Sequence, residues 1–150
     1  MADIKTSWVG GDQGGVWTTS GASLVGDDGL LTAVIISLFT DAPASALEAA
    51  NAGLSDRRGW WGDAYADEAG DVMGSKLWLL RREKRTVATL ERARQYASDA
   101  LAWLVSDGVA ESVAVTAEAV GADVLGLQVT VTRKREPAAK YRFERFWTGA

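Results

Sequence analysis

Between Thr86 and Ser106 the chain carries its only long stretch of sustained helical periodicity, and this stretch limits what the rest can fold into. Val87, Leu90, Ala93, Ala97, Ala100, Leu101 and Leu104 recur at steps of three and four. At about 100° per residue they fall on one stripe, which predicts a long central helix facing a core. Thr86 is placed to cap its start, and Gly108 stands where a helix commonly leaves through a left-handed residue. Arg92, Tyr96, Asp99 and Trp103 line up on the other side, leaving two aromatic rings opposite the stripe. Two readings fit: another part of this chain covers that face, or another protein does.

A sequence of 150 residues, 47% hydrophobic and 24% charged, has the size and balance of one soluble globular domain. Its apolar runs fall far short of the roughly 20 residues needed to span a bilayer, so no membrane contact is expected. The start, MADIKTSW, lacks the basic and apolar regions of a secretory signal, which predicts synthesis in a cytoplasm. Zero cysteines and zero histidines remove disulfides, thiol nucleophiles, the usual general base and the commonest metal ligands. The net charge of −4 is unevenly spread. Residues 76–94 hold seven basic and two acidic side chains, and residues 133–145 hold six and two, leaving the remainder strongly acidic. Such separation suits contacts between unlike protein surfaces. An acidic chain is a poor match for nucleic acid, and none is expected as a partner.

In chain order, residues 1–29 read as turns with one or two short strands, punctuated by glycines. Asp28 is placed to cap a helix over Leu30 to Phe39, a segment apolar nearly all round and therefore buried; it is the best candidate to cover Tyr96 and Trp103. Ser45 to Ala50 fits either a turn or two of helix or a loop. In DRRGWWGD, Asp56 to Asp63, adjacent indoles sit between glycines with Arg57 and Arg58 before them. Trp60 and Trp61 with these arginines suit a contact anchor, since Trp and Arg dominate interface energetics; a loop pinned by its own rings and ion pairs fits equally. Ser75 can cap a short helix in the stretch Gly74 to Arg82, before the long one, and Arg81, Arg82, Glu83 and Arg85 make the charged junction between them.

Beyond Gly108 the period changes to two. Three strands are expected, one around Val113 to Ala117, one around Leu125 to Val131 and one around Tyr141 to Trp147, with a tight turn at Gly121 to Asp123 and a basic loop at 133–139. The expected class is α+β: a buried N-terminal helix and a long central helix packed on a small antiparallel C-terminal sheet of about three strands, in one domain of residues 1–150 (turn-rich 1–29, helical 30–108, sheet 109–150). The last strand, with Tyr141, Phe143 and Trp147, is expected at an edge, open to strand pairing.

No Walker-type or dinucleotide-binding glycine loop occurs, and no calcium-loop spacing, so no catalytic residue, cofactor, metal or small-molecule substrate is assigned. With twenty acidic residues, a carboxylate pair at hydrolase spacing would arise by chance; a murein hydrolase and a tryptophan-based carbohydrate-binding surface are the alternative readings.

LLTAVIISLFTDAPAS from Leu30, DRRGWWGD from Asp56, GSKLWLLRREKRT from Gly74 and ALAWLVSDGVA from Ala100 resemble the Mu-like phage baseplate family, distantly related to the sheath-initiator or wedge subunits of contractile tails. The resemblance implies a non-enzymatic virion subunit of the tail baseplate, assembled in the host cytoplasm, that binds wedge proteins and the central hub and offers an edge to the first ring of sheath subunits. Distant relatives in T-even phages and type VI secretion systems carry a Glu-Pro-Arg-like motif before the main helix. The comparable place here reads Arg82-Glu83-Lys84, without the proline, and the resemblance implies a partner contact there.

Overall fold

The computed structural model describes residues 3–9, 14–17, 19–21, 23–24, 26–27 and 29–146. The glycine-punctuated start forms six very short strands, where one or two were expected: β1 (Asp3–Ile4), β2 (Thr6–Val9), β3 (Gly14–Trp17), β4 (Thr19–Ser20), β5 (Ser23–Leu24) and β6 (Gly26–Asp27). They pair antiparallel as β1 with β6, β2 with β3 and β4 with β5, so the segment folds back on itself and returns to its own beginning.

Helix α1 (Leu30–Phe39) follows Gly29, whose φ of 81° turns the chain into the helix without a side-chain cap. Asp28, the expected cap, lies outside the described residues. Leu30, Val34, Ile35 and Leu38 are buried, as an apolar helix requires, and the two buried polar residues each have a use. Thr32 Oγ1 accepts from the Thr6 amide at 3.2 Å and donates to the Ile4 carbonyl at 3.1 Å, fastening the first strands to the helix. Ser37 Oγ accepts from the Trp103 indole at 2.9 Å. Burial is incomplete at Ile36, which stays exposed.

Ser45 to Ala50, left open between helix and loop, contains α2 (Ala46–Asn51), closed by a reciprocal capping box: the Glu48 amide donates to Ser45 Oγ at 3.1 Å and the Ser45 amide to Glu48 Oε2 at 2.8 Å. The short helix expected after Gly74 is instead a 3-10 turn, Leu77–Leu80, and Ser75 is not its cap residue. Ser75 Oγ donates to the Leu38 carbonyl and accepts from the Leu77 amide, while its backbone bridges to Asp41. The serine thus ties the end of α1 to the 3-10 turn. All four side chains of that turn are buried.

Helix α3 (Val87–Leu101) starts at Thr86, whose hydroxyl accepts from the Thr89 amide at 3.1 Å. A single turn at Ala102 separates it from α4 (Trp103–Ser106), and Gly108 leaves with φ of 75°, as the sequence predicts. Ala93, Ala97, Leu101 and Leu104 are wholly buried, but Val87 is 84% exposed while Thr89 in the same turn is buried, so the inward face is offset from the stripe at its start. On the opposite face Tyr96 packs against both apolar clusters, while the Trp103 indole donates to Ser37 of α1 but its ring stays 38% exposed, so the chain covers that face only in part.

Strands β7 (Ser112–Val120), β8 (Val124–Thr132) and β9 (Ala139–Phe146) form an antiparallel sheet in sequence order. The register places Val115 opposite Val129 and that opposite Tyr141, with Ala117, Leu127 and Phe143 in the next inward row. Inward residues of the central strand, Leu125, Leu127, Val129 and Val131, are buried against the helices. The result is the α+β arrangement expected: α1 and α3 on one face of a three-stranded sheet.

Candidate partner interfaces

Arg57 and Arg58 leave the short loop after α2 in different directions. Arg57 Nε donates to the Ala44 carbonyl at 2.7 Å, and its own carbonyl accepts from the Ala44 amide. Arg58, at a left-handed φ of 49° held by its amide on Asp56 Oδ1, pairs with Asp41 at 2.5 Å and lays its guanidinium 4.7 Å from the centre of the buried Trp78 ring. Both arginines are thus engaged within the chain, Arg57 by a backbone carbonyl and the Arg58 guanidinium by Asp41 rather than by Asp56 or Asp63. Trp60 covers Gly62, where an added Cβ would lie 2.2 Å from the ring, and Trp61, 75% exposed, leans on Trp60 with centroids 5.6 Å apart. Tyr65 meets Trp61 edge-on at 6.2 Å and is itself exposed.

These rings form one side of a cleft of about 780 Å³, whose other side is Ile36 and Ser37 of α1 with Trp103 near the α3–α4 joint. Asp63, Asp67, Asp71 and Asp107 also line it, and among the described residues no lysine or arginine does. The sequence reading singled out the two indoles and missed this acidic rim. The signal was present as aspartates every four residues after the paired tryptophans, but nothing local says that Asp107 and Trp103 close the far side.

The structure gathers Arg58, Arg81 and Arg82, from two separate stretches, around a second and smaller cleft of about 270 Å³ with Leu54, Trp78 and Leu79. Their neighbours are engaged elsewhere. Glu83 pairs with Arg92 of α3, and the Arg85 guanidinium donates to the Gly121 and Ala122 carbonyls of the β7–β8 turn. Both side chains thereby tether the charged turn to the body.

Strand β9 is an edge strand, as expected. Phe143 is buried in the core and Tyr141 half-buried beside it, so the side chains β9 turns outward are Lys140, Arg142 and Glu144. Arg142 bridges Glu118 at 2.7 Å and Glu144 at 3.4 Å across the open face of the sheet. The Glu144 carbonyl accepts from the Trp8 indole at 3.2 Å, so it points away from β8; by the alternation of an antiparallel ladder the backbones of Lys140 and Arg142 point the same way. Trp147 lies outside the described residues. Among the described residues no helix is long and apolar enough to cross a membrane.

The described residues form a helix-on-sheet body that presents an edge strand, an acidic aromatic cleft and an arginine-lined cleft. Residues 30–138 match the family model described as phage protein GP46. The chain is 41% identical over 149 residues to baseplate protein gp46 of Escherichia phage Mu, and 40% identical over 148 residues to the Mu-like prophage FluMu protein gp46 of Haemophilus influenzae, covering 99% of both chains in each case. The chain belongs to this Mu-like phage baseplate family.

Proposed function

We propose that this chain is a structural subunit of a contractile-tail baseplate, that the whole of residues 1–150 works as one unit, and that it acts by contact rather than turnover. It binds other wedge proteins and the central hub, and it helps start the sheath. The Mu relative's name as a baseplate protein supports the setting. The observation that carries the finer reading is the edge position of β9, where the outward backbone at Lys140 and Arg142 suits the addition of one strand from a sheath subunit. The basic loop before it, with Arg133 held to Glu136, supplies positive charge beside that edge. The arginine cleft of Arg58, Arg81 and Arg82 is the proposed contact with an acidic wedge surface.

The test separates edge from body. Removing the strand would also remove Phe143 from the core, whereas Lys140→Pro or Arg142→Pro deletes one outward amide and leaves the ladder to β8 in place. Electron microscopy of tails carrying either proline should show baseplates without sheath. Arg82→Glu should instead deplete the subunit from the particle. Normal sheathed tails from both proline variants would rule out strand addition at β9.

A further inference from the structure

The first cleft has two features that point to its occupant. Its rings are uncovered by this chain, Tyr65 being 80% exposed, which leaves a patch of aromatic surface facing water. Among the described residues its charge is of one sign, with four aspartates and no cation in the lining. Asp67 and Asp71 stand exposed at its rim, open to a donor, and the indole faces beside them attract a cation. A guanidinium meets both needs better than an ammonium, because it stacks flat on a ring while its N–H groups fork to a carboxylate. The chain already contains this combination once, where Arg58 lies over Trp78 and pairs with Asp41. Ile36, Val72 and Met73 in the lining favour aliphatic neighbours on either side of the arginine.

We propose that the cleft between α1, the α3–α4 joint and the 60–74 loop receives an arginine-bearing, otherwise apolar segment of a neighbouring baseplate protein. The setting rests on the baseplate reading above; the chemistry of the cleft does not. The two are separable because the cleft can be tested on the isolated chain.

The probe is the peptide acetyl-Ala-Leu-Arg-Leu-Ala-amide, titrated into the nitrogen-15-labelled full chain while the indole N–H resonances are followed by NMR. Saturable shifts are expected at Trp60, Trp61 and Trp103, with binding at least about fivefold tighter than for the same peptide with glutamate in place of arginine. Asp67→Asn combined with Asp71→Asn, at two exposed rim positions, should weaken the arginine peptide by about threefold or more with no change in melting temperature. Equal binding of the two peptides, or no shift with the arginine peptide, overturns the proposal. So does saturable binding of an N-acetylglucosamine trisaccharide in place of the arginine peptide, which would make the cleft a sugar site. Indole shifts that depend on protein concentration with no peptide present would overturn it by assigning the cleft to a second copy of this chain. None of these failures touches the β9 edge, and sheath defects in the proline variants do not bear on the cleft.

Discussion

Glu48 shows how much one side chain can be asked to do. Its carboxylate closes the capping box of α2 and receives the Lys76 ammonium at 2.9 and 3.0 Å, joining α2 to the 3-10 turn. The Lys76 hydrogen bond, with the Ser45 amide next, lowers its pKa from 4.5 to about 2. The folded state therefore prefers ionised Glu48; its contribution is complete above pH 4.5 and lost as pH falls toward 2. Because both side chains are about a third exposed, the contribution is about 1 kcal/mol rather than the full value of the shift. Glu48→Gln keeps a residue able to cap and removes only the charge. It should lower the melting temperature by about 2–4 °C at neutral pH. The difference should shrink to nothing as pH approaches 2, in parallel thermal melts across that range.

Among the elements, the joint between α1 and the 3-10 turn leaves no room for a side chain at Gly74. Gly74 adopts φ of 104°, and an added Cβ would lie 2.3 Å from the Thr40 carbonyl oxygen and 2.7 Å from its carbon. Both atoms are backbone and are held by the Ser75 amide, which donates to that same carbonyl at 2.9 Å. Gly74→Ala should cost about 3 kcal/mol or more, measured by denaturant unfolding. A loss under about 1 kcal/mol would mean that the two segments can separate without harm. This element also shows where reading the sequence reached its limit. Thr86, Gly108, the three strands and the tight turn at Gly121 were legible because each is a local preference of cap, left-handed residue or alternation. Ser75 looked like a helix cap by the same local reasoning. Its hydroxyl was claimed by Leu38, thirty-seven residues earlier in the chain, a competition that no local window contains.

Across the whole molecule, the early strand β2 and the last strand β9 are brought together. Trp8 stacks on Phe39 at 3.8 Å and 14°, Phe39 meets Phe143 edge-on at 5.5 Å, and the Trp8 indole donates to the Glu144 carbonyl. One ring thus holds the N-terminal strands, the end of α1 and the last strand together. Trp8→Ala should cost about 3 kcal/mol. In hydrogen exchange the described amides of residues 3–27 should lose protection before those of β7 and β8; uniform loss would show that Trp8 is an ordinary core residue rather than a clasp. Composition excluded whole families of chemistry, and periodicity alone determined that a long helix would lie on a small antiparallel sheet, since both follow from which residues are present and how they repeat. Only the tertiary structure decided which charges are spent inside the chain, as with Glu83 on Arg92, and which face outward in a cleft, as with the aspartates around Trp61. Ion pairs and clefts are made between segments distant in sequence, and the distances that define them come into being only when the core has packed.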